Sequence, residues 1–338
     1  MNKLKTLLII TLATLTSLFT VSCSQESADE LIVYSGRSQA LVDNLVDQFK
    51  EQTGANIKVR YGNDAELLAI MNEEGDRSPA DIFWANTTGA LANANENGLL
   101  SQLPDSLLQI PASYTASSGR WLPVTVRFRV LGYNPNNVSE SELPASVMDL
   151  PDLEQFEGRV GWTPTYSSFY DFITAMRLEE GRDATMNWLE GMQNLNPKAY
   201  PSNTPMVQAI AAGEIDMGLT NHYYILRVKD GGDAASNIET HHFNSGDIGN
   251  LALVTGAGVL NTSENTDLAH RFLRFLLSEQ AQRYAAESVH EYPVIRNVEV
   301  TDIMLDEGEA FELSPDYDYE ELRQLEETLN LLREAGLN

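Results

Sequence analysis

Two adjacent tyrosines, Tyr223 and Tyr224, are the residues whose type and position best suit chemistry. They follow Asn221 and His222, directly after a strand predicted over residues 215–220, and open α/β sheets bind ligands beyond the carboxyl ends of their strands. A phenol is a weak acid with a pKa of about 10, yet a bound cation of high charge, such as ferric iron, can hold it as phenolate. Adjacent tyrosines at the end of a strand are more often packing residues. The pattern alone therefore leaves metal binding and packing both open.

Signatures of catalysis are scarce in the rest of the sequence. It contains no Gly-x-Ser-x-Gly elbow, His-Glu-x-x-His pair, Walker loop or Gly-x-Gly-x-x-Gly turn. The adjacent His241 and His242 could bind a metal, but a single strand would point the two rings to opposite faces. The only cysteine, Cys23, excludes an intramolecular disulfide and any Cys-rich zinc or iron–sulfur site. We therefore expect a protein that is not an enzyme.

The chain of 338 residues is strongly acidic, with 49 acids against 22 bases and a formal net charge of -27. Such a surface repels phosphate backbones and anionic lipids, which argues against nucleic-acid binding. The same charge also serves simply to keep an exported or salt-adapted protein soluble. The acidic stretch over residues 302–327 is predicted as the solvated face of a final helix that docks on the second of two lobes through Leu322, Leu325, Leu329 and Leu332.

The N-terminus has the pattern of an export signal. Two lysines precede a short apolar stretch over residues 7–19, and small residues lead to Cys23. The position of this cysteine resembles the lipobox of bacterial lipoproteins, in which the cysteine becomes the lipidated N-terminus. We predict a signal peptide over residues 1–22, a lipid anchor at Cys23 and a polar tether over residues 23–30. The alternative is an ordinary signal peptide with an incidental cysteine.

From residue 31 onward, predicted strands and helices alternate, which indicates mainly parallel sheets with helices on their faces. The length of the chain argues for two lobes. A long alternating strand over residues 121–133 is the expected crossing between them. An apolar strand over residues 251–260 would return the chain to the first lobe. The predicted lobes are residues 31–126 plus about 250–300, and about 127–249 plus 301–338.

Several stretches occur in an order that resembles one known family. The most specific are Glu-Gly-Asp-x-x-Pro-Ala-Asp, starting at Glu74, and Asn-x-Tyr-Tyr, starting at Asn221; residues 31–42, 158–169 and 251–260 add to them. They resemble the ferric-ion-binding proteins of bacterial ABC importers, and the resemblance covers essentially all of the chain after the tether. It implies an α/β fold, the two-lobed clamshell of type II periplasmic binding proteins, with each lobe a mixed, mainly parallel sheet flanked by helices.

The resemblance also implies a ligand set for Fe(III) as cargo, bound in the cleft with a synergistic anion such as carbonate or phosphate. Tyr223 and Tyr224 match the paired tyrosine ligands of the family. Tyr170 falls where some members carry a third tyrosine, and Tyr166, one helical turn earlier, is the runner-up.

The partners of the anion follow from the same resemblance. Arg127 is expected to grip an oxyanion in a bidentate manner. Ser167 and Ser168 lie at the start of a predicted helix, where free N–H groups and a positive dipole favour an anion. Asn203 and Asn221 match asparagines on the anion side of the family site.

Two family ligands, a histidine and a glutamate, are replaced here by Ser38 and Asn86. The main hypothesis remains a monomeric Fe(III)-binding component of an ABC importer, exported to the periplasm or cell envelope, anchored at Cys23 and serving a permease and its ATPase. The first alternative keeps the fold but binds an anion or small organic solute. The second, a secreted hydrolase, lacks a recognisable nucleophile or acid–base pair.

Overall fold

The computed structural model of the chain describes residues 30–110, 117–231, 237–296, 298–299, 304–317 and 319–337. The predicted signal peptide, Cys23 and all but the last residue of the tether lie outside these ranges. Within them, no helix combines the length and the apolar character needed to cross a bilayer.

In the described part of the chain, ten strands form one continuous sheet with two halves. They are β1 (Glu30–Ser35), β2 (Asn56–Tyr61), β3 (Ile82–Ala85), β4 (Leu122–Tyr133), β5 (Val160–Trp162), β6 (Lys198–Ala199), β7 (Met217–Asn221), β8 (Glu239–His241), β9 (Ala252–Val259) and β10 (Tyr292–Pro293). Their order is β2-β1-β3-β9-β4-β7-β5-β6, and β8 and β10 also pair with β4.

Strand β4 is shared by the two halves. Its residues 122–128 pair antiparallel with β9, whereas residues 129–133 pair antiparallel with β7. The first lobe is built on the side of β1, which pairs in parallel with β2 and β3, and the second lobe on the side of β5, which pairs in parallel with β6 and β7. The long strand predicted over residues 121–133 is thus present and joins the lobes, while the predicted domain boundaries remain a prediction.

Helices cover both halves of the sheet. Those in the described residues are α1 (Gln39–Thr53), α2 (Asp64–Glu74), α3 (Thr88–Glu96), α4 (Ser167–Glu179), α5 (Arg182–Asn194), α6 (Asn203–Ala211), α7 (His222–Asp230), α8 (Thr266–Leu276), α9 (Glu279–Tyr284), α10 (Glu307–Leu313) and α11 (Leu325–Glu334). Local signals set their ends: Gly54 closes α1 in the left-handed conformation with φ of 70°, and the Asn63 side chain accepts a hydrogen bond from the first turn of α2.

Aromatic side chains fasten the helices to the sheet in both lobes. In the first lobe, Phe272 of α8 packs edge-on against Phe49 and Trp84, with ring centroids 5.1 and 5.9 Å apart. In the second lobe, Phe172 of α4 meets Trp188 of α5 at 5.7 Å. Each such pair contributes about 0.5–1.5 kcal/mol to stability beyond the area it buries. These contacts hold the helices against the sheet in both lobes.

The C-terminal segment is not the single helix that its acidic pattern predicted. It forms α10, a 3₁₀ turn over Tyr319–Arg323, and α11. Ser314 ends α10 in extended conformation, because the following Pro315 disfavours helical backbone at the residue before it. Leu322 and Leu332 are buried in the core of the second lobe, as predicted.

This C-terminal segment contacts both lobes. In the second lobe, the Thr328 hydroxyl lies 2.7 Å from the hydroxyl of Thr174 in α4. In the first lobe, the Asn93 amide in α3 donates to the Arg323 carbonyl at 2.8 Å. The segment therefore joins the two lobes along a path separate from β4 and β9.

Replacing Gly89 with alanine should loosen this junction. A Cβ at Gly89 would lie 2.8 Å from the Leu322 carbonyl oxygen and 2.6 Å from an Asp171 carboxylate oxygen, so neighbouring groups must move. We expect Gly89→Ala to lower the free energy of unfolding by about 1–3 kcal/mol in denaturant titrations. Asn95→Ala on the same helix is the control and should stay within about 0.5 kcal/mol. Equal midpoints for both variants would contradict the tight contact.

Candidate functional site

The tyrosine pair lies in the first turn of α7, immediately after β7. Tyr223 is fully buried and Tyr224 nearly so, and their ring centroids are 4.1 Å apart with planes inclined by 30°. The strand-to-helix junction thus presents two phenol groups side by side at the carboxyl end of a strand, the position at which open α/β sheets bind ligands.

A third phenol joins the pair, and it belongs to Tyr166. Its hydroxyl lies 3.1 Å from the Tyr224 hydroxyl. Tyr170 instead packs, half-buried, against the core of the second lobe. The helical spacing of four residues did not bring both rings together, because Tyr166 precedes α4 in extended conformation, with φ of -97° and ψ of 139°. The structure therefore groups Tyr166, and not Tyr170, with Tyr223 and Tyr224.

The three phenols are neutral groups in the metal-free protein. Burial raises the pKa of Tyr223 and raises those of Tyr166 and Tyr224 well above the ordinary value, and the neighbouring phenols add to the effect. The positive charge of Arg127 acts in the opposite direction on all three pKa values. A strong cation is needed to displace the protons.

Two arginines are buried on the crossing strand beside the phenols. Arg127 and Arg129 both have no exposed surface, and residues two apart in a strand point to the same face. Arg127 donates one hydrogen bond to the Asn86 carbonyl, and Arg129 donates a long one, 3.4 Å, to the Asn221 side chain. In the described part of the chain, Nε and Nη1 of Arg127 and Nε and Nη2 of Arg129 have no partner, and neither does Asn221 Nδ2.

Arg129 was not among the residues predicted from the sequence. The alternation that marks β4 would have placed it beside Arg127, and this was the available signal. Burial, followed by the charge of Arg127, lowers the pKa of Arg129 to about 9. Its guanidinium also lies 5.1 Å from the centre of the Phe172 ring, which partly stabilises the buried charge. In the described residues, the five buried nitrogen atoms without partners on Arg127, Arg129 and Asn221 are donors of the kind that bind oxyanions.

The predicted serines and asparagines on the anion side lie in the same cleft. Ser168 Oγ is 3.4 Å from Asn203 Nδ2, at the adjoining N-termini of α4 and α6. Ser167 Oγ accepts a hydrogen bond of 3.2 Å from Asn86 Nδ2. Because Asn86 belongs to the first lobe and Ser167 to the second, this bond crosses the cleft between the lobes. Ser38 is exposed.

The first lobe contributes a buried ion pair that the sequence analysis missed. Arg37 is 4% exposed and Glu291 is 0% exposed. Nη2 of Arg37 lies 3.0 and 2.9 Å from the two carboxylate oxygens. The two residues are 254 positions apart, so no local pattern could have paired them.

His222 anchors the tyrosine pair and is not a ligand. Its Nδ1 accepts the Phe128 backbone N–H at 3.1 Å, and its Nε2 lies 2.8 Å from the His290 carbonyl. These partners require a neutral ring with the proton on Nε2, and burial lowers the pKa of His222 to about 4. Both nitrogens are occupied by backbone groups, which fixes the start of α7 against β4.

Two buried carboxyl groups accompany Arg127. Burial raises the pKa of Asp64 and raises that of Asp171 to about 7, while Arg127 lowers both. Asp64 accepts hydrogen bonds from the Thr87 hydroxyl at 2.6 Å and from the backbone N–H of Asn86 at 3.0 Å. Among the described residues, no three His, Cys, Asp or Glu side chains converge on a metal position, so a metal here would depend on phenol oxygens.

Comparisons with known proteins agree with this geometry. A family model described as "Bacterial extracellular solute-binding protein" matches residues 44–311. The "Fe(3+)-binding periplasmic protein" of Serratia marcescens is 32% identical over 274 residues, which are 79% of this chain and 80% of that one. The "Major ferric iron-binding protein" of Neisseria meningitidis is 30% identical and covers 91% and 93% of the two chains.

Solved structures match over nearly the whole chain. Iron-bound HitA from Pseudomonas aeruginosa superposes with a TM-score of 0.86 at 31% identity, over 91% of this chain and 99% of that one. The Trichodesmium protein IdiA (FutA), solved with iron and citrate, gives a TM-score of 0.75 at 26% identity, over 91% and 100%. These matches confirm the predicted two-lobed α/β fold, and the chain belongs to the bacterial extracellular solute-binding proteins, which are transport proteins and not enzymes.

Proposed function

We propose that this protein binds Fe(III) together with an oxyanion in the cleft between its lobes and delivers the iron to the permease and ATPase of an ABC importer. The observation that carries the proposal is the convergence of three phenol groups beside two buried arginines with unpaired N–H groups. The relatives named as ferric iron-binding proteins support the choice of cargo.

The proposed metal ligands are the oxygens of Tyr166, Tyr223 and Tyr224. Three phenolates balance the charge of Fe(III), and hard oxygen anions suit this hard cation. Tyr166 takes the place expected for Tyr170, because its hydroxyl is the one in contact with Tyr224. Three protein ligands leave coordination positions for an exogenous anion, which accounts for binding without the ligands replaced by Ser38 and Asn86.

The proposed anion site combines Arg127 and Arg129 with Ser167, Ser168, Asn203 and Asn221. In the described residues neither guanidinium group forms a salt bridge with a carboxylate, and two such groups favour an anion with two negative charges, such as carbonate or hydrogen phosphate. Citrate is a third candidate, because the Trichodesmium structure contains iron with citrate.

In a second candidate function, the same fold binds an anionic ligand without iron. The unpaired guanidinium nitrogens would also suit an oxyanion or an anionic organic solute that needs no metal. The two candidates differ in colour, because phenolate-to-iron charge transfer tints an iron-loaded protein and an anion complex is colourless.

Tyrosine-to-phenylalanine variants test the metal site. Each keeps the packing of the ring and removes only the oxygen. We expect Tyr223→Phe and Tyr224→Phe to abolish the visible band and Tyr166→Phe to shift it, with affinity for iron lowered by more than about 100-fold, the upper end for loss of a supporting residue. Tyr170→Phe is the matched control and should bind as the wild type does. Absorbance titrations with ferric citrate, and iron content after desalting, measure both quantities.

The outcome also separates the two tyrosines of α4. If Tyr166→Phe binds iron as the wild type does and Tyr170→Phe binds it weakly, the third ligand is Tyr170 and not Tyr166. Full iron content and an unchanged band in both Tyr223→Phe and Tyr224→Phe would move the site elsewhere.

Iron binding should release protons and weaken in acid. Burial raises the pKa of all three phenols, so each carries a proton at every pH below its pKa and loses it to the metal. The apparent affinity therefore falls as the pH falls, by up to about 1,000-fold per pH unit for three protons. With the same ferric citrate stock, Tyr166→Phe should release one proton fewer than the wild type in weakly buffered titrations. Equal proton release would contradict Tyr166 as a ligand.

The mature protein is proposed to be a lipoprotein anchored at Cys23, exported as its periplasmic relatives are. A single acyl chain binds membranes only marginally, so stable retention needs more than one chain. We expect mass spectrometry of the mature protein to find an acylated N-terminal Cys23, and Cys23→Ser to release the protein from the membrane fraction. An unmodified N-terminus, or cleavage elsewhere, would exclude the anchor.

A further inference from the structure

The first lobe faces the tyrosine site with a cation. Ser38 is exposed, and the Asn86 amide is engaged with Ser167, so neither offers an obvious ligand. Arg37 lies in the same turn after β1 as Ser38, and it is almost completely buried. This arginine therefore occupies the part of the first lobe from which a ligand would otherwise come.

Arg37 is held in an unusual way. Arginine commonly grips a carboxylate with two nitrogens, but here Nη2 alone lies within 3.0 Å of both oxygens of Glu291. Nη1 is buried and has no partner in the described part of the chain. A buried donor without an acceptor is costly, which points to an acceptor that arrives from elsewhere.

Glu291 is itself fixed to both crossing strands. It accepts a hydrogen bond from the hydroxyl of Thr125 in β4, and that hydroxyl lies 2.8 Å from the hydroxyl of Thr255 in β9. The carboxylate thus holds the Arg37 guanidinium at the hinge between the lobes, and the guanidinium cannot turn toward water without leaving its buried partner.

In the described structure Arg37 Nη1 has no hydrogen bond to a phenol, but the start of α7, which carries the tyrosine pair, lies near the ion pair. His290, the residue before Glu291, accepts a hydrogen bond from His222 through its carbonyl oxygen. This bond brings the start of α7 next to the ion pair. The charge of Arg37 lowers the pKa of Tyr166 and Tyr223, and both tyrosines of the pair interact electrostatically with Arg37. This interaction supports the proximity that the contacts establish.

We propose that Arg37 is a positioning residue that closes the first lobe onto the loaded tyrosine site by donating its free Nη1–H to a phenolate oxygen. The inference rests on the proposed function. Neutral phenols attract a guanidinium weakly. Iron binding converts the phenols to phenolates, and a hydrogen bond from a guanidinium to a phenolate oxygen is stronger than one to a neutral phenol. Ligand binding shifts the lobes only by preferring the closed form, and Arg37 supplies that preference from the first lobe.

The test compares iron binding and lobe closure in matched variants. Arg37→Met/Glu291→Gln removes both charges, so that no uncompensated carboxylate remains buried. Arg37→Lys keeps the charge. Arg60→Met is the control, because Arg60 is a half-exposed first-lobe arginine paired with Glu74. Each is titrated with ferric citrate, and small-angle scattering is recorded with and without iron.

We expect the double variant to keep a visible band, shifted to longer wavelength because the phenolate loses a donor. Its affinity should fall on the order of 10- to 100-fold, the range for a hydrogen bond to a charged group, and its iron-loaded form should be more open. Arg37→Lys should recover part of the affinity, and Arg60→Met should match the wild type. Without iron, the scattering profiles of the wild type and the variants should coincide. A merely structural role of Arg37 would instead change the iron-free profile of the double variant.

Two results would overturn the inference, and they are distinguishable. If the wild-type protein shows no visible band after titration with ferric citrate, the proposed function is wrong and the role of Arg37 is wrong with it. A wild-type protein with the band, combined with unchanged band, affinity and closure in the double variant, removes the role of Arg37 alone.

Discussion

Two guanidinium groups buried on the strand that joins the lobes are the constraint around which the site is arranged. Removing a charge from water costs several kcal/mol unless partners compensate for it. The Asn86 carbonyl, the Asn221 side chain and the Phe172 ring supply part of that compensation. Four guanidinium nitrogens remain without partners in the described residues. These buried guanidinium groups therefore favour negative charge at the centre of the cleft.

The phenols complete this arrangement because they are the groups that become anions only when a cation arrives. Burial raises the pKa of Tyr166, Tyr223 and Tyr224, so these phenols are neutral and do not compensate for the charge of the arginines. In the proposed function, a ferric ion alone would be balanced by three phenolates and would leave the arginines without an anion, whereas an anion alone would leave the phenols unused. Iron and anion together satisfy both sets of groups, which gives a physical reason for joint binding.

The sequence predicted those parts of the structure that depend on local pattern. Alternation identified the crossing strand, and the predicted strand-to-helix junction put Tyr223 and Tyr224 at the carboxyl end of a strand. The sequence could not show that Tyr166 lies beside the pair and Tyr170 does not, because a helical spacing says nothing about a residue that precedes the helix in extended conformation. The pairing of Arg37 with Glu291 was out of reach, since it joins residues 254 positions apart.

The C-terminal segment limits how the lobes can move. Near the hinge, Thr88 is bonded to the backbone of Val254 in β9, and its neighbour Gly89 lies against the turn that carries Leu322. Further along α3, the Asn93 side chain donates to the Arg323 carbonyl, so the same first-lobe helix meets the C-terminal segment at two points. That segment is also buried in the core of the second lobe through Leu322 and Leu332. Any rotation of the lobes about β4 and β9 must therefore move this segment or change its contacts with α3, which makes it a third connection between the lobes.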